Sequence, residues 1–182
     1  GAIGGVSSSL KKMSIAAIAA ASAFAGARGL SNAMSESVRK FIAVEKSQMK
    51  LNTVLRSTKQ AAGMTARELN NLSGALSKTT TFSTTAIRES QALMLTFTSI
   101  GKEVMPQAME TLLNMSEAMG SALQPQVIQL GKALNDPILG VTALRRVGVQ
   151  LSAQQQQSVK DFMALGEVMS AQKVILGELQ TQ

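Results

Sequence analysis

The run Ile128-Gln129-Leu130-Gly131-Lys132-Ala133-Leu134-Asn135-Asp136-Pro137-Ile138-Leu139-Gly140-Val141-Thr142-Ala143-Leu144-Arg145-Arg146-Val147-Gly148-Val149-Gln150-Leu151 decides how this chain folds. Its punctuation is dense. Asn135 can close one helix in the left-handed conformation that Asn and Gly tolerate. Asp136 can cap the next, its carboxylate accepting from the free N–H groups of the first turn. Pro137 then falls at the first helical position, where its missing N–H costs nothing. Gly148 can end that helix, and Ser152 followed by Gln155 offers a capping box for another. Two sharp corners therefore fall within one short stretch. A segment of this kind folds back on itself and does not extend as a rod.

Outward from that stretch the composition is helical. The 182 residues include 11 Met and only 5 Phe and 3 Pro, with no Cys, His, Trp or Tyr. Met and Ala favour helices and fill space adaptably. Without Cys there is no disulfide, and the fold rests on its apolar core. Without Cys and His, the usual zinc sites and the Ser-His-Asp or Cys-His nucleophilic sites are excluded. The prolines, at positions 106, 125 and 137, each fit near a helix start. The expected fold is all-α: a long N-terminal helix able to form a coiled coil, then a compact domain of six or seven short helices. Residues 1–60 are read as a basic, Ala-rich extended arm and residues 61–182 as the compact domain.

Charge marks the same division. The net charge is +7. The first third holds Lys11, Lys12, Arg28, Arg39, Lys40, Lys46, Lys50, Arg56 and Lys59 against Glu36 and Glu45. The remainder is balanced. The arm therefore suits an anionic neighbour, such as an acidic tube wall, a phospholipid surface or nucleic acid. Few aromatics accompany the charge, so nonspecific DNA contact is open and sequence-specific nucleic-acid binding is not expected.

Within the arm, Met13 to Ala27 is an uncharged, Ala-dominated run. A secretory signal and a membrane span both fit it less well than an Ala-rich helix packed on other helices, because it is short and weakly apolar. A heptad seam runs through Met13, Ala16, Ala20, Ala23, Ala27, Leu30, Met34, Ser37, Phe41, Val44, Gln48, Leu51 and Leu55. Self-association along it, through residues 13–55, competes with a single amphipathic helix docked on the domain. The chain starts with Gly-Ala and ends within a helical pattern, and it reads as part of something longer.

In the domain, Thr65 and Glu68 form a capping-box pair opening a helix to about Leu76. Phe82 anchors a Thr-rich loop. Ser83 caps a helix expected to reach Ile100, with Ile87, Met94, Leu95 and Thr98 inward. Pro106 opens a helix with Met109, Leu112, Leu113 and Met119 inward, and Pro125 one burying Val127, Ile128, Leu130 and Leu134. A short helix over Ile138–Val147 follows, then the Ser152 helix with Phe162 and Met163. Beyond Gly166 comes a last helix with Val168, Val174, Ile175 and Leu179 as its apolar positions.

Chemistry is scarce. Glu103, Glu110 and Glu117 recur every seven residues, with Asp136, Asp161 and Glu167 as further carboxylates. Paired carboxylates do acid–base work only where a pocket drives their pKa values apart. A solvated stripe is the simpler reading, and Asp136 has a sufficient role as a cap. Gly131-Lys132 lacks the flanking residues of a phosphate-binding loop. No catalytic residue, metal or cofactor is expected, and the protein reads as structural.

The run Gln129 to Pro137 with Gly140 to Val149 resembles the tail tape-measure proteins of long-tailed bacteriophages and prophages. Gln91-Ala92-Leu93-Met94-Leu95-Thr96-Phe97-Thr98-Ser99-Ile100-Gly101-Lys102 and Gln172-Lys173-Val174-Ile175-Leu176-Gly177-Glu178-Leu179 are similar to the same family. The resemblance is closer over residues 60–182 than over 1–59. The motif it carries is structural: Gly131, Lys132, Asn135, Asp136, Pro137, Gly140, Arg145, Arg146 and Gly148. The resemblance implies a virion protein that lies in the tail tube lumen and sets tail length, made in the host cytoplasm during assembly. Its implied partners are the tail tube protein, tail assembly chaperones and further copies of itself, with host membrane contact during ejection. The alternative is a membrane-active basic helical protein.

Overall fold

A computed structural model describes residues 29–145 and 149–181, and every regular element among them is an α-helix. In chain order these are α1 (Gly29–Ser57), α2 (Ala66–Thr79), α3 (Thr84–Met94) and α4 (Met105–Ala118), then α5 (Leu123–Asn135), α6 (Pro137–Arg145), α7 (Ala153–Ala164) and α8 (Val168–Thr181). Seven of them follow residue 61, as the punctuation of the sequence predicts. The Ala-rich run 13–27, Arg146 and Gly148 lie outside the described residues.

Backbone contacts divide the chain into two units, residues 1–45 and Lys46–Gln182. In the first, the described stretch of α1 is exposed from Glu36 onward. Val38, Phe41, Ile42 and Val44 stand out as exposed large apolar side chains. The Lys40 ammonium meets Glu36 one turn earlier at 2.7 Å.

The second unit has one contiguous core. It takes in Leu51 and Leu55 from the end of α1, Leu69 from α2, Ile87 and Met94 from α3, Leu112 and Leu113 from α4, and Leu130 and Leu134 from α5. Leu144, Val159, Ile175 and Leu176 complete it from α6, α7 and α8. The last two positions of the heptad seam, Leu51 and Leu55, are thus occupied inside the chain's own domain. α5 is the hub, packing on α3, α4 and α6. α8 closes the other side against α4, α6 and α7.

Local signals start the helices. Thr65 and Glu68 form the complete capping box ahead of α2. The Ser83 hydroxyl accepts from Ala86 N ahead of α3, and Ser152 with Gln155 forms a second complete box ahead of α7. Pro106 lies in the first turn of α4. Gly120 and Gly166 take left-handed φ values of 57° and 77° after α4 and α7, the geometry that ends a helix most cheaply in glycine.

Four expectations are corrected. α3 stops at Met94, not Ile100. Residues 95–99 form consecutive turns, with Leu95 N donating to Gln91 O and Phe97 N to Met94 O. The Thr96 hydroxyl donates to Leu93 O at 2.7 Å, satisfying a terminal carbonyl from outside the helix. Thr98 is therefore exposed, not inward. Met119 follows α4 as its cap and is exposed. Glu103 precedes α4, so Glu103, Glu110 and Glu117 do not line a single helix, and all three are exposed.

Candidate functional site

Of the nine motif residues, the seven that are described, Gly131, Lys132, Asn135, Asp136, Pro137, Gly140 and Arg145, lie on α5, α6 and the corner between them. Asp136 links the two helices, and its Oδ1 accepts from Leu139 N at 3.1 Å. Pro137 opens α6 and is buried. Gly140 N donates to Asp136 O at 2.7 Å. Asn135 behaves differently from expectation. It is the last residue of α5 and is not left-handed, a conformation that among described non-glycine residues only Lys59 and Gln60 adopt. Its side chain reaches across the fold instead, Oδ1 accepting from Ser99 N at 3.2 Å. A tertiary partner for the carboxamide, at the surface, takes the place of the local turn.

The two glycines are contact points. A Cβ built on Gly140 would lie 2.3 Å from Ala133 Cα and 2.4 Å from Ala133 O. The backbones of α5 and α6 therefore touch there, which only glycine permits. A Cβ on Gly131 would fall 2.2–2.8 Å from the Phe97 ring. Phe97, in the turns after α3, lies on the bare backbone of α5. A glycine inside a helix costs stability, and these two glycines exchange that cost for close packing.

Gln172 of α8 completes the node. It is buried, and its Nε2 donates to Ser99 O at 2.9 Å and to Leu134 O at 2.8 Å. The two carbonyls come from a turn and from the end of a helix, where no intrahelical donor serves them. The three runs that resemble the phage family, 91–102, 129–149 and 172–179, thus meet in space. Phe97, Ser99, Ala133 and Gln172 are the members that sequence reasoning missed. The signal available was weak: a glycine within a helical pattern, and a Gln on an apolar face.

A shallow notch of about 310 Å³ lies on this corner, lined by Phe97, Lys132, Asn135, Asp136, Leu139, Gly140 and Ala143. Lys132 and Arg145 are exposed, and Leu139 is 69% exposed at the tip. Among the described residues no group of carboxylates could hold a metal. The ionisable groups with displaced titration lie elsewhere. Glu68 is drawn down to about 2, first by the Lys102 ammonium and then by the N–H and hydroxyl of Thr65. Burial lowers the Arg88 guanidinium, which donates to Asn70 Oδ1 at 2.8 Å and Ser47 Oγ at 3.0 Å. Both join segments distant in the chain, Glu68 tying α2 to Lys102 ahead of α4 and Arg88 tying α3 to α1 and α2. At the corner these residues act on one another by packing and by hydrogen bonds.

Comparison with known families gives a match to the family described as prophage tail length tape measure protein, over residues 1–160. The chain belongs to this family. The match takes in the arm, the capping boxes of α2 and α7 and the whole α5–α6 corner, and it ends before α8. No curated protein and no solved structure matches the chain. As a tape-measure protein it is a structural component of a phage tail. The corner at Gly131 and Gly140 is part of its architecture.

Proposed function

We propose that this tape-measure protein sets tail length from within the lumen of the growing tube. The family match over residues 1–160 carries the reading. A helix rises about 1.5 Å per residue, so the length of an extended helical chain becomes the length of tube that subunits can cover. The arm supplies such a segment. Its α1 carries exposed Phe41 and Val44 on the heptad seam, suited to pairing with further copies over the part of residues 13–55 ahead of Leu51, where the seam enters the chain's own core. Arg39, Lys46 and Lys50 fall within about 40° of one another on the opposite side of that helix, at 100° per residue. That stripe suits an acidic tube wall, the surface a tail tube protein would present, and it suits passing DNA without regard to sequence. Tail assembly chaperones are further partners during assembly in the host cytoplasm.

The test is an in-frame deletion in the parent gene, with tail length read by electron microscopy. Removing residues 14–41, four heptads, shortens tails by about 42 Å on this reading. Tails of unchanged length would remove the arm from the ruler.

A second reading rests on the same helix. Exposed Val38, Phe41, Ile42 and Met49 beside Lys and Arg make a basic amphipathic surface of the kind that lies on anionic bilayers. No described helix is long and apolar enough to cross a membrane. Flotation with anionic vesicles that weakens with salt would favour this reading, with membrane contact during ejection as its setting.

A further inference from the structure

The joint between α1 and α2 is built against its own sequence. Residues 58–64 read Thr-Lys-Gln-Ala-Ala-Gly-Met. Lys59, Gln60, Ala61 and Ala62 are residues of high or moderate helix preference. Lys59 and Gln60 nevertheless stand at φ 50° and 55°, successive left-handed positions. There Cβ crowds the following carbonyl oxygen, a cost that glycine escapes.

The hydrogen bonds show what holds them. Gln60 N donates to Leu55 O at 2.9 Å and Lys59 N to Arg56 O at 3.2 Å. This is the pairing that ends a helix around a left-handed residue, a place glycine usually takes. Gly63, at φ 67°, then lets its N–H donate to Gln60 O at 2.8 Å. Tertiary burial keeps the bend closed. Leu51 and Leu55 before it, and Ala62, Met64 and Leu69 after it, all enter the core. Arg88 spans the bend from α3, bonding Ser47 on one side and Asn70 on the other. In a continuous helix those two residues would stand about 35 Å apart, beyond the reach of one guanidinium.

We propose that residues 58–65 are a two-state hinge, which passes from this strained turn into helix, gives up the extended Thr65 cap, and joins α1 to α2 as one rod. Core burial and the Thr65–Glu68 capping box favour the bent state. Local helix preference and relief of two left-handed residues favour the straight one. A narrow tube excludes the wider bent state and so shifts the balance toward the rod. The inference rests on the ruler reading for its setting, but not for its test. Tail length after the arm deletion tests the ruler, whereas the hinge is tested on the chain in solution.

The chain has no cysteine, so two can be placed cleanly. Spin labels at Lys46→Cys and Asn71→Cys, both exposed sites, report the distance across the joint. The rod puts them about 38 Å apart, and the bent state far closer. Gly63→Ala strains the bend and favours helix, while a Cβ there meets only Lys102 Cβ at 3.9 Å. The pair Lys59→Gly with Gln60→Gly relaxes the bend and weakens the helix. The population near 38 Å should rise about fivefold or more with Gly63→Ala and fall by a like factor with the glycine pair, relative to the unsubstituted joint. The glycine pair should also raise the thermal midpoint. A single short distance in the Gly63→Ala chain, or a midpoint lowered by the glycine pair, would overturn the hinge.

Discussion

At the scale of single residues, two glycines make different demands. At Gly140 the obstacle to a side chain is the Ala133 backbone, which cannot rotate away. Gly140→Ala should therefore cost about 1–3 kcal/mol or more, read as a lowered denaturant midpoint. At Gly131 the obstacle is the Phe97 ring. Gly131→Ala should cost less in a Phe97→Leu background than in the wild type, with a coupling of about 0.5–3 kcal/mol in a double-mutant cycle. Additive effects would mean the ring does not rest on that glycine. Glu68 makes a prediction in pH. Its carboxyl lies at about 2 in the folded chain against an ordinary 4.5, because Lys102 Nζ at 2.7 Å and the Thr65 N–H at 2.8 Å favour the charged form. A folded pKa below the unfolded one stabilises fully above the unfolded value and fades as pH falls. Thermal midpoints should therefore drop between about pH 4.5 and 2, and Glu68→Gln should flatten that part of the profile. A wild-type slope retained in the variant would assign the effect to other carboxyls.

At the scale of elements, the fold is held where helices end. The last carbonyls of α5 and the turns after α3 need donors that neither segment supplies. Gln172 reaches both from α8, and Asn135 returns an acceptor to Ser99. Gln172→Leu keeps the volume and removes the donors, leaving the Leu134 carbonyl unserved in the interior and the Ser99 carbonyl without its partner nearer the surface. The expected loss is about 1–3 kcal/mol, chiefly from the Leu134 carbonyl, measured by chemical denaturation, with faster amide exchange at the α5–α6 corner. A neutral result would show that the carbonyls find other donors. The helices themselves were readable. Thr65 with Glu68, Ser83, and Ser152 with Gln155 sit where the sequence puts them, because a cap depends on residues within one turn of itself. The end of α3 was not readable. The residues after Met94 continue an apolar pattern, and only the slot at Gly131 explains why the chain turns there to deliver Phe97.

At the scale of the whole molecule, the end of α1 belongs to the domain. Leu51 and Leu55 share a core with residues as distant as Leu176. Leu51→Ala should therefore lower the unfolding midpoint of the entire compact unit, by about 2–5 kcal/mol, and not merely fray the helix. A separate early transition confined to α1 would contradict this. Heptad spacing marked both leucines, but it could not say whether a second chain or the chain's own domain would cover them. The same limit recurs at Asn135, whose residue type suits a left-handed turn and whose actual partner lies 36 residues away. By itself the sequence determined the all-helical class, the helix starts, the absence of Cys and His chemistry, the concentration of positive charge in the arm and the tape-measure family. All but the family follow from composition and from interactions within a few residues; the family follows from the likeness of whole runs of sequence. Tertiary structure alone decided which glycines are contact points, that Gln172 and Asn135 knit three distant runs together, and that Lys59 and Gln60 are held left-handed against their preference. Each of those depends on the meeting of backbones far apart in the chain, where close packing and the need to pair buried polar groups outweigh local propensity.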